Sequence, residues 1–307
     1  MAPPIRIGTR GSRLALAQTQ LVVDALRATA PGREVTTVEV RSEGDQQPDV
    51  PLQELGIGVF TGALERALLD GRIDMAVHSL KDLPTQPSPG LIVLSVLERA
   101  DPRDVLINRW GHGLLDLPAG ARIGTSSPRR EAQLRHGRSD LDYLPIRGNV
   151  ETRIAKADGD DYDGVVIAAA GVERLGLRDR IAEYISSRVL TPAPGQGALA
   201  LEMRAGDEDL ASLAIAVRHD ATAAAVTSER WVLRAAGAGC LLPIGALAEV
   251  DGEVLTLFAT VTAPDGSQSY RVEVAGPAAD PDVAGRAAYA ALVEQGAGAL
   301  LSPETTP

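Results

Sequence analysis

Short apolar runs alternate with segments whose apolar positions recur every three or four residues. Residues 5–8 form the first run and predict a strand, and Leu14, Ala17, Leu21 and Ala25 then follow at helical spacing. Residues 35–40 predict a second strand. Phe60, Leu64, Ala67 and Leu68 share one face of a helix closed by Asp70 and Gly71, and residues 73–78 read as a buried strand. This alternation runs through the first two thirds of the chain and is the grammar of an α/β fold. Arg6-Ile7-Gly8-Thr9 returns as Arg122-Ile123-Gly124-Thr125, each time ahead of a helix, which points to two similar α/β domains.

Two breaks divide the pattern. Residues 98–104 are charged, contain Pro102 and read as a linker; residues 191–197 are too rich in Pro and Gly for a helix or central strand. Beyond them a strand is predicted over 198–203 and helices over 210–218 and 222–236. A Gly-rich loop is expected over 237–245 around Cys240, then a hairpin of strands 254–262 and 269–274, a helix over 283–293 and a frayed end over 302–307. The tail reads as a small α+β domain.

Composition narrows the possibilities. With 307 residues, 45% hydrophobic, there is chain enough for two or three domains. Aromatic residues make up only 3%, so the cores must be built from Ala, Val, Leu and Ile. The longest apolar run, residues 165–172, is too short to span a bilayer, so no membrane association is expected. Residues 1–7 lack a basic segment followed by an apolar one, so a secretory signal is not expected and a cytoplasmic location is. A single cysteine excludes an internal disulfide, and four scattered histidines argue against a metal site. The formal net charge of -11 argues against nucleic acid as a partner, although local arginines can still hold a small anion.

Such arginines stand where helices begin. Helix N-termini carry partial positive charge, so a cation there costs roughly a few tenths of a kcal/mol unless an anion offsets it. Arg10 and Arg13 flank Ser12, a natural N-cap. Thr125 and Ser126 lead into Ser127-Pro128, an N-cap with a first-turn proline, and Arg129 and Arg130 follow directly. Arg147 precedes Gly148-Asn149, a further cap, and Arg153 lies one turn inside that helix. All three loops follow predicted strands, where open α/β sheets bind ligands. Lys81 and Asp82 also follow a strand, and a carboxylate there can orient an N–H donor or stabilise a developing cation. These residues define an anion-binding α/β protein. They leave open a two-lobed binding protein without catalysis, or a phosphate-handling transferase, although the pattern Gly-x4-Gly-Lys-Ser/Thr is missing.

Seven ordered motifs together resemble the hydroxymethylbilane synthase (porphobilinogen deaminase) family. They are Ile7-Gly8-Thr9-Arg10-Gly11-Ser12-Arg13-Leu14-Ala15-Leu16, His78-Ser79-Leu80-Lys81-Asp82-Leu83-Pro84, Ile123-Gly124-Thr125-Ser126-Ser127-Pro128-Arg129-Arg130 and Arg147-Gly148-Asn149-Val150-Glu151-Thr152-Arg153, then Ala169-Ala170-Gly171-Val172-Glu173-Arg174-Leu175-Gly176, Pro194-Gly195-Gln196-Gly197-Ala198, and Gly239-Cys240 with Pro243-Ile244-Gly245.

The resemblance implies two type II periplasmic-binding-protein-like α/β domains, spanning 1–98 with 198–217 and 103–192, and a C-terminal α+β domain over 220–307. It implies stepwise joining of four porphobilinogen molecules with loss of ammonia, on a dipyrromethane cofactor tied by a thioether to Cys240, in a monomer. Asp82 resembles the catalytic carboxylate that steadies the azafulvene cation. Lys81, Ser127, Arg129 and Arg130, with Asp82, resemble cofactor-binding residues. Arg10, Ser12, Thr125, Ser126, Arg147, Asn149, Arg153, Arg174 and Gln196 resemble substrate-binding ones. Ile57 and Gly62 stand where many members carry lysines, which removes any role of those lysines here.

Overall fold

The computed structural model describes residues 3–41, 61–237 and 243–301. The chain forms two compact units, residues 1–100 with 198–223 and residues 101–197 with 224–307.

In the first unit, strands β1 (Ile5–Thr9), β2 (Val35–Glu39), β3 (Met75–Ser79) and β4 (Leu91–Val96) combine with a strand from far along the chain, β10 (Leu199–Arg204), in the order β2-β1-β3-β10-β4. β1 runs parallel to β2 and β3, and β10 antiparallel to β3 and β4. Helix α1 (Arg13–Thr29) buries Val22, Val23 and Leu26 on one face with Ile7, Met75, Val77 and Leu201. The shorter α2 (Gly62–Leu69) sets Leu64, Ala67 and Leu68 against Ile73 and Ala76 on the other. Phe60, expected on that helix face, lies outside the described residues.

The second unit repeats the plan. Strands β5 (Asp104–Asn108), β6 (Arg122–Gly124), β7 (Asp142–Leu144), β8 (Gly164–Ala168) and β9 (Glu183–Tyr184) stand in the order β7-β6-β8-β5-β9. β6 is parallel to β7 and β8, and β5 antiparallel to β8 and β9. The echo between residues 6–9 and 122–125 is thus structural. Ile7 pairs with Met75 as Ile123 pairs with Gly164. Arg6 grips Asp74 through its backbone N (2.9 Å), Nε (3.0 Å) and Nη2 (2.8 Å). Arg122 grips Asp163 through the same three atoms at 2.9, 3.0 and 3.0 Å.

This unit also carries the antiparallel sheet β11 (Ile244–Asp251), β12 (Val254–Thr262) and β13 (Ser269–Pro277). Helix α8 (Pro281–Leu292) covers one face of that sheet, burying Ala284, Ala288 and Leu292 with Leu255, Leu257 and Ala259. The expected hairpin is present. Of the expected loop over 237–245, residues 238–242 lie outside the described residues, and Ile244 already opens β11: residues 244–248 are all buried, so their side chains show no polar alternation. No helix is long and apolar enough to cross a membrane among the described residues.

Candidate functional site

In the first unit the candidate residues gather at the C-terminal ends of two neighbouring strands. Ser12 follows β1 and caps α1, its Oγ accepting from Ala15 N at 3.3 Å. Arg10 stands half-buried beside it. After β3 the chain makes a single 3-10 turn, Leu80–Asp82. Asp82 is exposed and Lys81 half-buried on that turn. Gln18 of α1 donates through Nε2 to Ser79 Oγ at 2.8 Å and ties the two loops' supports together. Leu80 N donates to Ala198 O at 3.0 Å, so the Asp82 turn also hangs on the segment leading into β10.

In the second unit the candidate residues follow three adjacent strands, β6, β7 and β8. Helix α3 (Pro128–Gly137) starts after β6 with Ser127 as N-cap, accepting from Arg130 N at 3.4 Å. Thr125 is buried and its Oγ1 accepts from Ser127 N at 3.4 Å. Ser126 Oγ accepts from Ile146 N at 3.0 Å and donates to Ile146 O, which staples the loop after β6 to the loop after β7.

That second loop carries Arg147, half-buried, and Asn149, whose Oδ1 accepts from Thr152 N at 2.8 Å to cap α4 (Val150–Ala157). Gly148 has φ +114, and a Cβ on it would lie 2.6 Å from Thr152 Cγ2, so only glycine fits between arginine and cap. Arg153 Nε donates back to Gly148 O at 2.8 Å. After β8, Arg174 ends α5 (Ala169–Arg174) and donates to Gly197 O at 2.8 Å. Burial pushes its guanidinium down to about 10, against the opposing pull of Glu173.

Arg129 and Arg130 are not surface groups. Both are buried, and both turn to Asp104 at the start of β5, which is 0% exposed. Arg129 Nη2 reaches Oδ2 at 2.8 Å, and Arg130 Nη2 reaches Oδ1 at 2.7 Å. Burial and the adjacent Arg130 hold Arg129 below the ordinary arginine value, with Asp104 opposing them. Arg129 Nε has no hydrogen-bond partner among the described residues. Two guanidinium groups thus share one carboxylate. Gln196 is 0% exposed as well, with Nε2 donating to Pro102 O at 2.7 Å and Asp104 Oδ1 at 2.9 Å. It joins the two segments over which the chain passes between the units.

Two further residues escaped sequence reading. Asp104 looked like one more charge in a linker. Glu229 lies on α7 (Asp220–Ala235), the helix after α6 (Glu208–Ala216), and is 0% exposed, with its two oxygens accepting from Gly195 N at 2.7 Å and Ala248 N at 2.8 Å. A lone acid in the apolar stripe Ala225, Val232, Leu233, Ala236 was a signal that could have found it. Cys240 and Ile57 lie outside the described residues. No group of acidic, His or Cys side chains that could hold a metal occurs among the described ones.

Two sheets of one order, each with a single antiparallel strand, β10 in the first and β5 in the second, define a mixed α/β protein. This one adds a small C-terminal domain of three antiparallel strands with helices. Residues 5–212 match the family model described as "Porphobilinogen deaminase, dipyromethane cofactor binding domain", and residues 223–294 match "Porphobilinogen deaminase, C-terminal domain". The chain belongs to the porphobilinogen deaminase family, whose members are transferases. It is 47% identical over 300 residues to the porphobilinogen deaminase of Syntrophotalea carbinolica, covering 97% of this chain and 95% of that one. It is 49% identical over 288 residues to that of Leifsonia xyli, covering 92% and 86%. Among solved structures it is similar to a YaeC-family lipoprotein of Enterococcus faecalis, at TM-score 0.45 and 14% identity, covering 71% of this chain and 92% of that one.

Proposed function

We propose that this chain is a hydroxymethylbilane synthase, joining four porphobilinogen molecules head to tail with release of ammonia and then freeing the linear tetrapyrrole with water. The observation that carries the reading is the arginine set of the second unit. Two buried arginines share one carboxylate, and the half-buried Arg174 has no carboxylate bonded to it among the described residues. Such a site is built for a ligand bearing several carboxylates. Each porphobilinogen ring brings two, and they remain on the chain as it lengthens.

The arginine set suits the acid side chains of a dipyrromethane. When bound, that group supplies the pyrrole carbon to which the first substrate is joined, held by a thioether to Cys240. Lys81, Ser127, Arg129 and Arg130 hold its acid side chains. Arg10, Ser12, Thr125, Ser126, Arg147, Asn149, Arg153 and Arg174 hold or frame those of the substrate. Gln196, wholly buried, acts from behind by orienting Asp104 between the arginines. Asp82 accepts pyrrole N–H groups and steadies the positive charge left on the substrate when ammonia departs. The reading includes three domains, over 1–98 with 198–217, 103–192 and 220–307. It also includes a monomeric, cytoplasmic protein that does not bind nucleic acid.

Intact-mass measurement tests it. The purified protein should exceed its sequence mass by a dipyrromethane and colour with an aldehyde reagent for pyrroles. Cys240→Ala should lose both signals. Asp82→Asn should keep the added mass while ammonia release falls at least about a hundredfold. An unmodified mass in an active preparation would sink the cofactor assignment.

A further inference from the structure

The first unit contains a buried titratable pair that the reading above does not use. Val77 and Met75 of β3 point to the core under α1, while Ala76 faces α2. His78 lies on the same side as Ala76. Across the ladder, Ala200 opposes His78 and Glu202 opposes Ala76, so His78 and Glu202 are diagonal neighbours on one face. His78 Nε2 lies 3.0 Å from Glu202 Oε2, with the side chains 6% and 1% exposed. Neither atom has a hydrogen-bond partner elsewhere among the described residues. Each therefore depends on the other for compensation. An apolar pair of similar volume would fill the space at less cost, so the pair's use is in fixing one arrangement of the two strands.

What it fixes is adjacent. Asp82 is the fourth residue after His78, reached through the end of β3 and one tight turn. That turn is attached to the same partner segment by Leu80 N to Ala198 O. A slip of β3 along β10 would carry the Asp82 carboxylate with it, and displacements of an ångström at a reacting group are costly in rate. We propose that His78 and Glu202 are positioning residues, which set Asp82 by locking β3 to β10. The proposal rests on the reading of Asp82 given above.

The test uses the full-length protein loaded with its cofactor, in three forms: Glu202→Gln, His78→Gln and the double variant. Each single variant should retain the dipyrromethane mass, and its kcat for ammonia release should fall about tenfold while KM for porphobilinogen stays within about twofold. In the double variant two neutral amides can bond each other, and kcat should return to within about threefold of the parent. Unchanged kcat in the folded single variants would overturn the proposal. So would a KM that rises as kcat falls, or a double variant worse than either single one. Should a single variant not fold, Glu202→Asp keeps the charge but withdraws it by one methylene, and the same split of kcat from KM is expected; normal kcat there overturns the proposal. Asp82→Asn is assayed alongside. If it keeps its turnover, the reading of Asp82 fails and takes this proposal with it. If it is inactive while Glu202→Gln is normal, the positioning claim alone fails.

Discussion

At the scale of single residues, the central fact is that Arg129 and Arg130 share Asp104 in the interior. Removing that carboxylate's charge leaves two buried cations without compensation. Asp104→Asn should lower unfolding free energy by about 3–5 kcal/mol, read from urea denaturation. A loss below about 1 kcal/mol would mean that water reaches the arginines and that they behave as surface groups. The two arginines were legible in the sequence because they stand at a marked helix start. Their partner was not, since Asp104 sits among Asp101, Pro102 and Arg103, and nothing local distinguishes a buried charge from solvated ones. The same holds for Gln196: its motif was visible, its burial was not.

At the scale of elements, the strongly periodic helices and the hairpin were read from spacing alone, because one buried face imposes its period on the sequence. β11 was not, because both its faces are covered along residues 244–248 and Gly245 interrupts it like a loop. Two glycines at helix starts should behave in opposite ways. Gly62 opens α2, and among the described residues a methyl placed on it would meet only Arg66 Nη1, at 3.9 Å. Gly62→Ala should stabilise the protein by about 0.5 kcal/mol in thermal unfolding. Gly148 has a positive φ and a crowded Cβ position, so Gly148→Ala should destabilise by about 1–2 kcal/mol and displace the cap at Asn149. Equal effects at the two sites would show that the left-handed backbone at Gly148 is not required.

At the scale of the molecule, the two sheets share strand order, register and an Arg–Asp clamp at the same corner. Burial alone would raise Asp74, but its bonds from Arg6 outweigh this and hold the carboxyl below its ordinary value. For Asp163 the bond from Arg122 is the leading cause, and the direction is the same. A carboxylate whose folded pKa is depressed contributes stability above its unfolded pKa of about 4, and loses it as pH falls through the folded value. Arg122→Gln should raise Asp163 toward its ordinary value, with Arg109 still 3.5 Å away, and move the acid unfolding midpoint, followed by circular dichroism, to higher pH. An unchanged midpoint would show that the clamp does not contribute to acid resistance. Four matching residues were enough to suggest this duplication, whereas the clamp depended on Asp74 and Asp163, which lie outside the matching stretch.

The displaced strand β10 has a consequence for how the protein is made. The first sheet needs residues 199–204 to sit between β3 and β4, so a ribosome must deliver two thirds of the chain before that sheet can close. Until then β3 and β4 present open edges, which invite pairing with other chains. The second sheet needs only residues 104–184, all synthesised in one stretch. Nascent chains arrested with residue 197 just outside the ribosome should show residues 104–184 protected from protease while residues 3–100 are still cut, and protection of the first segment should appear only when β10 has emerged. The amino-terminal sheet, first to be translated, is the last of the two to be finished.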